Sequence, residues 1–85
     1  MKLELIPIHD TAKSFGHKAI IETTENGSIL YSYNTEVARI ENNKPIVYDT
    51  FSNTTLRHIK EYLKQNGHKA ETKKQIIADY MEGRV

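Results

Sequence analysis

The amino-acid sequence predicts a single α+β domain spanning residues 1–85, an antiparallel four-stranded sheet followed by two helices in the order ββββαα. Three observations carry this expectation. The first half of the chain is built from short runs rich in β-branched and aromatic residues. Asn26-Gly27 and Asn42-Asn43 punctuate those runs as turn signals. The second half switches to a helical period framed by capping residues. A chain of 85 residues buries a smaller share of its surface than a large domain does, so a deep substrate cavity is not expected.

The first strand is expected over residues 2–8 (KLELIPI), with Pro7 marking an edge or a strand end because proline cannot donate to the ladder. His9 to His17 (HDTAKSFGH) reads as a loop, since Asp10, Thr11, Ser14 and Gly16 all favour turns. A second strand is expected over residues 18–24, closed by the hairpin tetrapeptide Glu25-Asn26-Gly27-Ser28. The text ILYSYNTEVARI, residues 29–40, alternates with Tyr31, Tyr33, Thr35 and Val37 on one face before Ala38 and Ile40 change face. It is therefore expected to be one strand with a bulge near residues 34–36. Residues 45–49 (PIVYD) complete a meander, because consecutive strands usually pair with their neighbours. The first and fourth strands are its edges, where Pro7 and Pro45 discourage edge-to-edge pairing.

Ser52-Asn53-Thr54-Thr55 is a run of N-cap residues, followed by Leu56, Ile59, Tyr62 and Leu63 on one helical face until Asn66-Gly67 stops the helix. A second helix is expected from Thr72, where Thr72 and Gln75 have the capping-box spacing. Ile76, Ile77, Tyr80 and Met81 form its apolar face before Gly83.

Composition narrows the function classes. Twelve Lys and Arg against eleven Asp and Glu leave a net charge of +1, which excludes the global positive field of a strongly basic nucleic-acid binder. The chain has no cysteine, so neither a disulfide nor a thiolate zinc site is available and histidine is the remaining strong metal ligand. The N-terminus MKLELIPIHD contains Glu4 and no long apolar stretch, so a signal peptide and a membrane span are not expected, and a cytoplasmic location follows. A serine nucleophile elbow, a phosphate-binding glycine loop and an H-E-x-x-H motif are all missing, so the chain is not expected to be an enzyme.

SYNTEVARI (Ser32 to Ile40), TFSNTTLRHIKEYLKQNG (Thr50 to Gly67) and the upstream KSFGHKA (Lys13 to Ala19) together resemble a family of small uncharacterised proteins encoded by phages, plasmids and gut Firmicutes. KSFGHKA is similar to that family's K-S-F-Y-G-K-A pattern, and Thr-Thr-x-x-His-Ile-Lys is the most distinctive part of the match. Two histidines depart from the pattern: His17 falls inside it, and His68 stands where an aromatic is expected after Asn-Gly. The resemblance implies an origin in mobile elements more than a mechanism. Small phage proteins of no enzymatic class often inhibit host defence, anti-CRISPR proteins among them. That association implies a protein-binding inhibitor, with the Cas nuclease of a type II CRISPR system as the concrete partner.

Two clusters are candidate sites. If the meander has four strands, His9, Asp10, His17 and His68 meet at one end of the sheet, and three imidazoles with a carboxylate suit a structural zinc. The alternative is that they are ordinary loop histidines on a solvated surface. Arg57, Lys60 and Lys64 recur at i, i+3 and i+7 on the first helix, a cationic stripe diluted by Glu61. That stripe is the expected partner-binding face. It equally allows a nucleic-acid-binding accessory protein, whose affinity would fall steeply with salt. Tyr31, Tyr33 and Tyr48 are expected to pack in the core, with an exposed aromatic platform as the alternative. His58 and Tyr62, at i and i+4, are expected to form a packed, hydrogen-bonded pair.

Overall fold

A computed structural model describes residues 1–48 and 52–81. The elements are β1 (Lys2–Glu4), β2 (Ala19–Thr23), β3 (Gly27–Ser32), β4 (Thr35–Glu41), β5 (Lys44–Val47), α1 (Asn53–Gln65) and α2 (Lys73–Tyr80). The class is α+β as expected, but among the described residues the antiparallel sheet has five strands, ordered β1-β2-β3-β4-β5 in a simple meander.

The fifth strand arises from a reversal inside the segment expected to be a single bulged strand. Tyr33 and Asn34 both adopt positive φ, 52° and 67°. Two consecutive left-handed residues make the primed hairpin turn whose twist matches the flanking strands. Asn42 and Asn43 make the β4–β5 turn the same way, with φ of 52° and 66°. A register shift does occur, between Leu30 and Tyr31 of β3, where the facing partners jump from Ala38 to Glu36. Val37 is the extra residue, so Val37 and Ala38 are both buried despite being neighbours. The Asn26-Gly27 hairpin forms without positive φ at either residue; Thr24 N–H donates to the Gly27 carbonyl at 2.9 Å.

The extra reversal changes where the helices lie. β3 ends at Ser32, opposite Ala19 at the start of β2, and β5 returns toward that same end. Ser52 caps α1 by accepting from Thr55 N–H at 3.2 Å. The helix then runs away from the Ser32 end: Thr55 and His58 contact Ser32, whereas the Tyr62 hydroxyl reaches Ser28. Asn66 and Gly67, with φ of 80° at Gly67, stop it as expected. Thr72 caps α2, accepting from Gln75 N–H at 3.1 Å, and Met81 bridges to Val47 beside β5. The expected helix stop at Gly83 and strand end at Asp49 lie outside the described residues. Among the described residues, no helix is long and apolar enough to cross a membrane.

The core lies between α1 and one face of the sheet, where Leu5, Leu30, Val37, Val47, Ile59, Tyr62 and Leu63 are almost wholly buried with Ile76 of α2. The other sheet face carries polar pairs. The Tyr31 hydroxyl donates to Glu22 at 2.9 Å, Lys2 sits 5.3 Å from the Tyr31 ring, and Arg39 pairs with Glu36 at 3.0 Å. The core placement expected for the tyrosines is therefore corrected. Tyr31 stands half-buried on the outer face, Tyr33 is exposed at the new turn, and Tyr48 is half-buried. The expected His58–Tyr62 bond is also absent, because both side chains point at the sheet and each meets a β3 serine.

Candidate functional site

The site grows from one buried carboxylate. Glu61, the acidic residue that dilutes the cationic stripe, is only 1% exposed. It accepts the backbone N–H groups of Ile8, His9 and Asp10, each at 2.9 Å, and the Gln65 side-chain amide at 2.7 Å. Gln65 also donates to the Ile6 carbonyl at 2.8 Å. Burial by itself raises the carboxyl's pKa, but these donors outweigh it and hold Glu61 below its ordinary value. The segment after β1 is thereby clamped to α1, in a loop that would otherwise leave three amides without partners.

Asp10 makes the second tie. Its carboxylate accepts Ala12 N–H at 2.9 Å and a forked pair of bonds from Arg57, with Nε at 3.0 Å from Oδ2. The Arg57 hydrogen bond, seconded by Ala12 N–H, holds Asp10 well below the usual carboxylate range.

His9, Asp10, Arg57, Lys60, Glu61 and Lys64 line one shallow cleft between the clamped segment and α1. The three cations expected to form a partner-binding stripe are therefore together. Arg57 is engaged by Asp10, whereas Lys60 and Lys64 have no ion pair among the described residues. Ile6 and Ile8, on the clamped segment, are 51% and 73% exposed.

The four residues expected to converge on a metal do not. His9 and Asp10 are in the cleft, but Asp10 is engaged by Arg57. His17 projects into solvent with Nδ1 2.8 Å from Glu4. His68 follows the far end of α1, and its buried Nε2 has no hydrogen-bond partner among the described residues. Among the described residues, no group of three or more His, Asp or Glu side chains is arranged to hold a metal ion. The fifth strand is the reason: one additional reversal starts α1 at the His17 end, so the helix carries His68 away from it. The histidine brought to that end is His58, whose ring centroid lies 4.5 Å from Phe15.

Sequence reasoning missed two features, the Glu61 clamp and a buried polar chain. In the latter, Ser32 Oγ is 2.8 Å from His58 Nδ1 and 3.1 Å from Thr55 Oγ1. Thr55 and His58, at i and i+3 on the apolar side of α1, are the only sequence signal for that chain.

The chain belongs to a family of unknown function, DUF8033, whose profile matches residues 1–78. No curated protein and no solved structure matches it.

Proposed function

We propose that this member of DUF8033 is a non-enzymatic docking module that binds a host defence protein through the cleft and its apolar rim. The specific candidate partner is the Cas nuclease of a type II CRISPR system, with inhibition by blocking guide or target loading. One observation carries the docking reading: Ile6 and Ile8 are held outward, 51% and 73% exposed, by a backbone that Glu61 and Gln65 clamp to α1. Fully burying an aliphatic side chain of this size is worth roughly 1.5–3 kcal/mol. A rigid segment that leaves two in water has that free energy available for a partner, with little ordering cost at binding. Lys60 and Lys64, which line the cleft together with His9 of the same clamped segment, match a partner whose apolar contact is rimmed by acidic groups.

Nucleic acid is the second reading, favoured by the three cations gathered in one cleft. A phosphate backbone would use the lysines but leave the isoleucines in water. The choice of a defence nuclease is supported by the resemblance of SYNTEVARI and TFSNTTLRHIKEYLKQNG to proteins of mobile elements.

Size-exclusion co-elution with purified type II Cas nucleases tests the partner. The expected result is a complex that Ile8→Glu, and Lys60→Glu with Lys64→Glu, each abolish. Absence of binding across the nucleases defeats the named partner, and binding that ignores all three substitutions defeats the surface. Filter binding to DNA and RNA at low salt addresses the second reading, which predicts retention that collapses as salt rises.

A further inference from the structure

We propose that the open edge of β1 is a self-association edge, on which two copies pair antiparallel about a two-fold axis through Leu3. The proposal concerns an edge of the sheet, not the cleft, and stands independently of the docking reading.

Among the described residues β1 is the terminal strand of the sheet, paired on one side with β2, with Lys2, Leu3 and Glu4 opposite Glu22, Ile21 and Ile20. Thr23 N–H donates to the Met1 carbonyl at 2.9 Å and Leu5 N–H donates to the Ala19 carbonyl at 2.8 Å. Antiparallel ladders alternate, so the odd-numbered residues exchange bonds with β2 while the N–H and C=O groups of Lys2 and Glu4 face outward. At the opposite edge, by contrast, Met81 bridges to Val47 of β5. An open edge of this kind is a template for another strand.

The sequence of β1 selects the strand that fits. When two copies pair antiparallel about Leu3, Lys2 of each copy lies opposite Glu4 of the other. All the outward N–H and C=O groups of Lys2 and Glu4 are then satisfied in four interchain hydrogen bonds. Opposite charges face each other twice, a favourable cross-strand arrangement. Sliding the copies by one hydrogen-bonding step in either direction places Lys2 opposite Lys2 or Glu4 opposite Glu4, which like-charge repulsion opposes. The register is thus specified by two residues.

Side chains on both faces agree with this register. Leu3 sits at the two-fold, in the close non-hydrogen-bonded position, and is 56% exposed in the single copy, with Met1 83% exposed beside it. Lys2 over the Tyr31 ring and Glu4 beside His17 hold the two charges on the outer face. Pro7, which lacks an amide proton, lies beyond the paired stretch and leaves it intact. An isologous interface of this kind closes at two copies. A three-residue edge buries less than a standard interface, so the dimer dissociates on dilution.

Sedimentation velocity on the full chain, over a series from micromolar to millimolar concentration, tests the proposal. The expected result is a sedimentation coefficient that climbs from monomer toward dimer. Lys2→Glu and Glu4→Lys should each weaken association by on the order of tenfold or more, and the double variant Lys2→Glu, Glu4→Lys should restore it. The double variant separates charge pairing from loss of the His17 and Tyr31 contacts, because it loses those contacts too. Glu4→Pro removes one outward amide without touching the β1–β2 ladder and should remain monomeric with an unchanged far-ultraviolet spectrum. Leu3→Lys provides the same readout should a charge variant fail to fold. A monomer at every concentration would overturn the proposal, as would single reversals that leave association unaltered or a double variant that stays monomeric.

Discussion

Ser32 of β3 and His58 of α1 meet inside the core, hydroxyl oxygen to imidazole Nδ1, at 2.8 Å. With Thr55 Oγ1 at 3.1 Å from the same hydroxyl, the chain is satisfied when Thr55 donates to Ser32 and Ser32 donates to a neutral imidazole. Protonating His58 would place a second donor against that hydroxyl in a site where its charge is desolvated. Burial, helped by the nearby Arg57 charge, accordingly lowers its pKa below the ordinary imidazole value.

A pH dependence follows from that shift. Because the folded-state pKa is depressed, the unfolded chain binds the extra proton first, and stability rises with pH through this window. His58's contribution is complete above its unfolded value of about 6.5 and is lost progressively as pH falls below it. Thermal unfolding between about pH 7.5 and pH 5 should show a declining midpoint whose slope is smaller in His58→Phe. An identical slope in the two proteins would remove His58 as the cause.

Glu61 predicts a large effect from a residue that looks like surface. Glu61→Ala strips the part-buried backbone N–H groups of Ile8, His9 and Asp10 of a shared charged acceptor, a loss worth about 1–3 kcal/mol once water takes up part of the bonding. Glu61→Gln keeps one acceptor oxygen but turns an NH₂ group toward the same donors, so it should rescue only partly. Urea denaturation measures the loss. Amide hydrogen exchange should locate it, with protection falling at residues 8–10 before the β3–β4 ladder.

The contrast between what the chain announces and what it conceals is one of sequence distance. Ser52, Thr72 and Asn66-Gly67 are local signals, and each caps or stops its helix where the sequence places it. The Asn42-Asn43 turn was legible because asparagine tolerates positive φ. The Tyr33-Asn34 turn uses the same backbone geometry, with φ of 52° and 67°, but sets an aromatic in the first left-handed position. There the β-propensity of ILYSYNTEVARI reads straight through it. That one reversal undid the expected histidine cluster, because the direction of every later element depends on the number of reversals before it. Arg57, Lys60 and Lys64 survived as a cluster because their spacing lies within one helix. The burial of Glu61 is not legible in the sequence because its partners lie about fifty residues away, and no helical period carries that information.

Asp10 and Arg57 give a local electrostatic test. The Arg57 hydrogen bond is the largest cause of the lowered Asp10 pKa, so Arg57→Gln should move that pKa back toward the ordinary carboxylate value near 3.9. A carboxylate whose folded-state pKa is depressed stabilises the fold above its unfolded value, and the contribution disappears as pH falls through the folded one. Arg57→Gln should therefore flatten the stability profile on the acid side of about pH 4. Carbon-detected NMR titration of the Asp10 carboxyl reads the shift directly, and an unmoved pKa would show that Arg57 is not its cause.

Gly27 and Gly67 predict opposite responses to the same pair of substitutions. Gly27 lies in β3 at an ordinary φ, but a Cβ there would stand 1.8 Å from the Ile40 carbonyl oxygen and 2.8 Å from its carbon. Both contacts are backbone, so neither can rotate aside and the β3–β4 hairpin must open. Gly27→Ala should cost at least about 1–3 kcal/mol, and Gly27→Asn should cost more because it is larger. Gly67 has open space around its Cβ position and a φ of 80°, so its requirement is conformational. Gly67→Ala should lose about 1 kcal/mol, and Gly67→Asn should recover part of that because asparagine enters the left-handed region more easily. Chemical denaturation of the four variants separates the two causes: asparagine better than alanine at position 67 and worse than alanine at position 27. The same order at both positions would mean that backbone conformation, rather than the approach of Ile40, explains the glycine in β3.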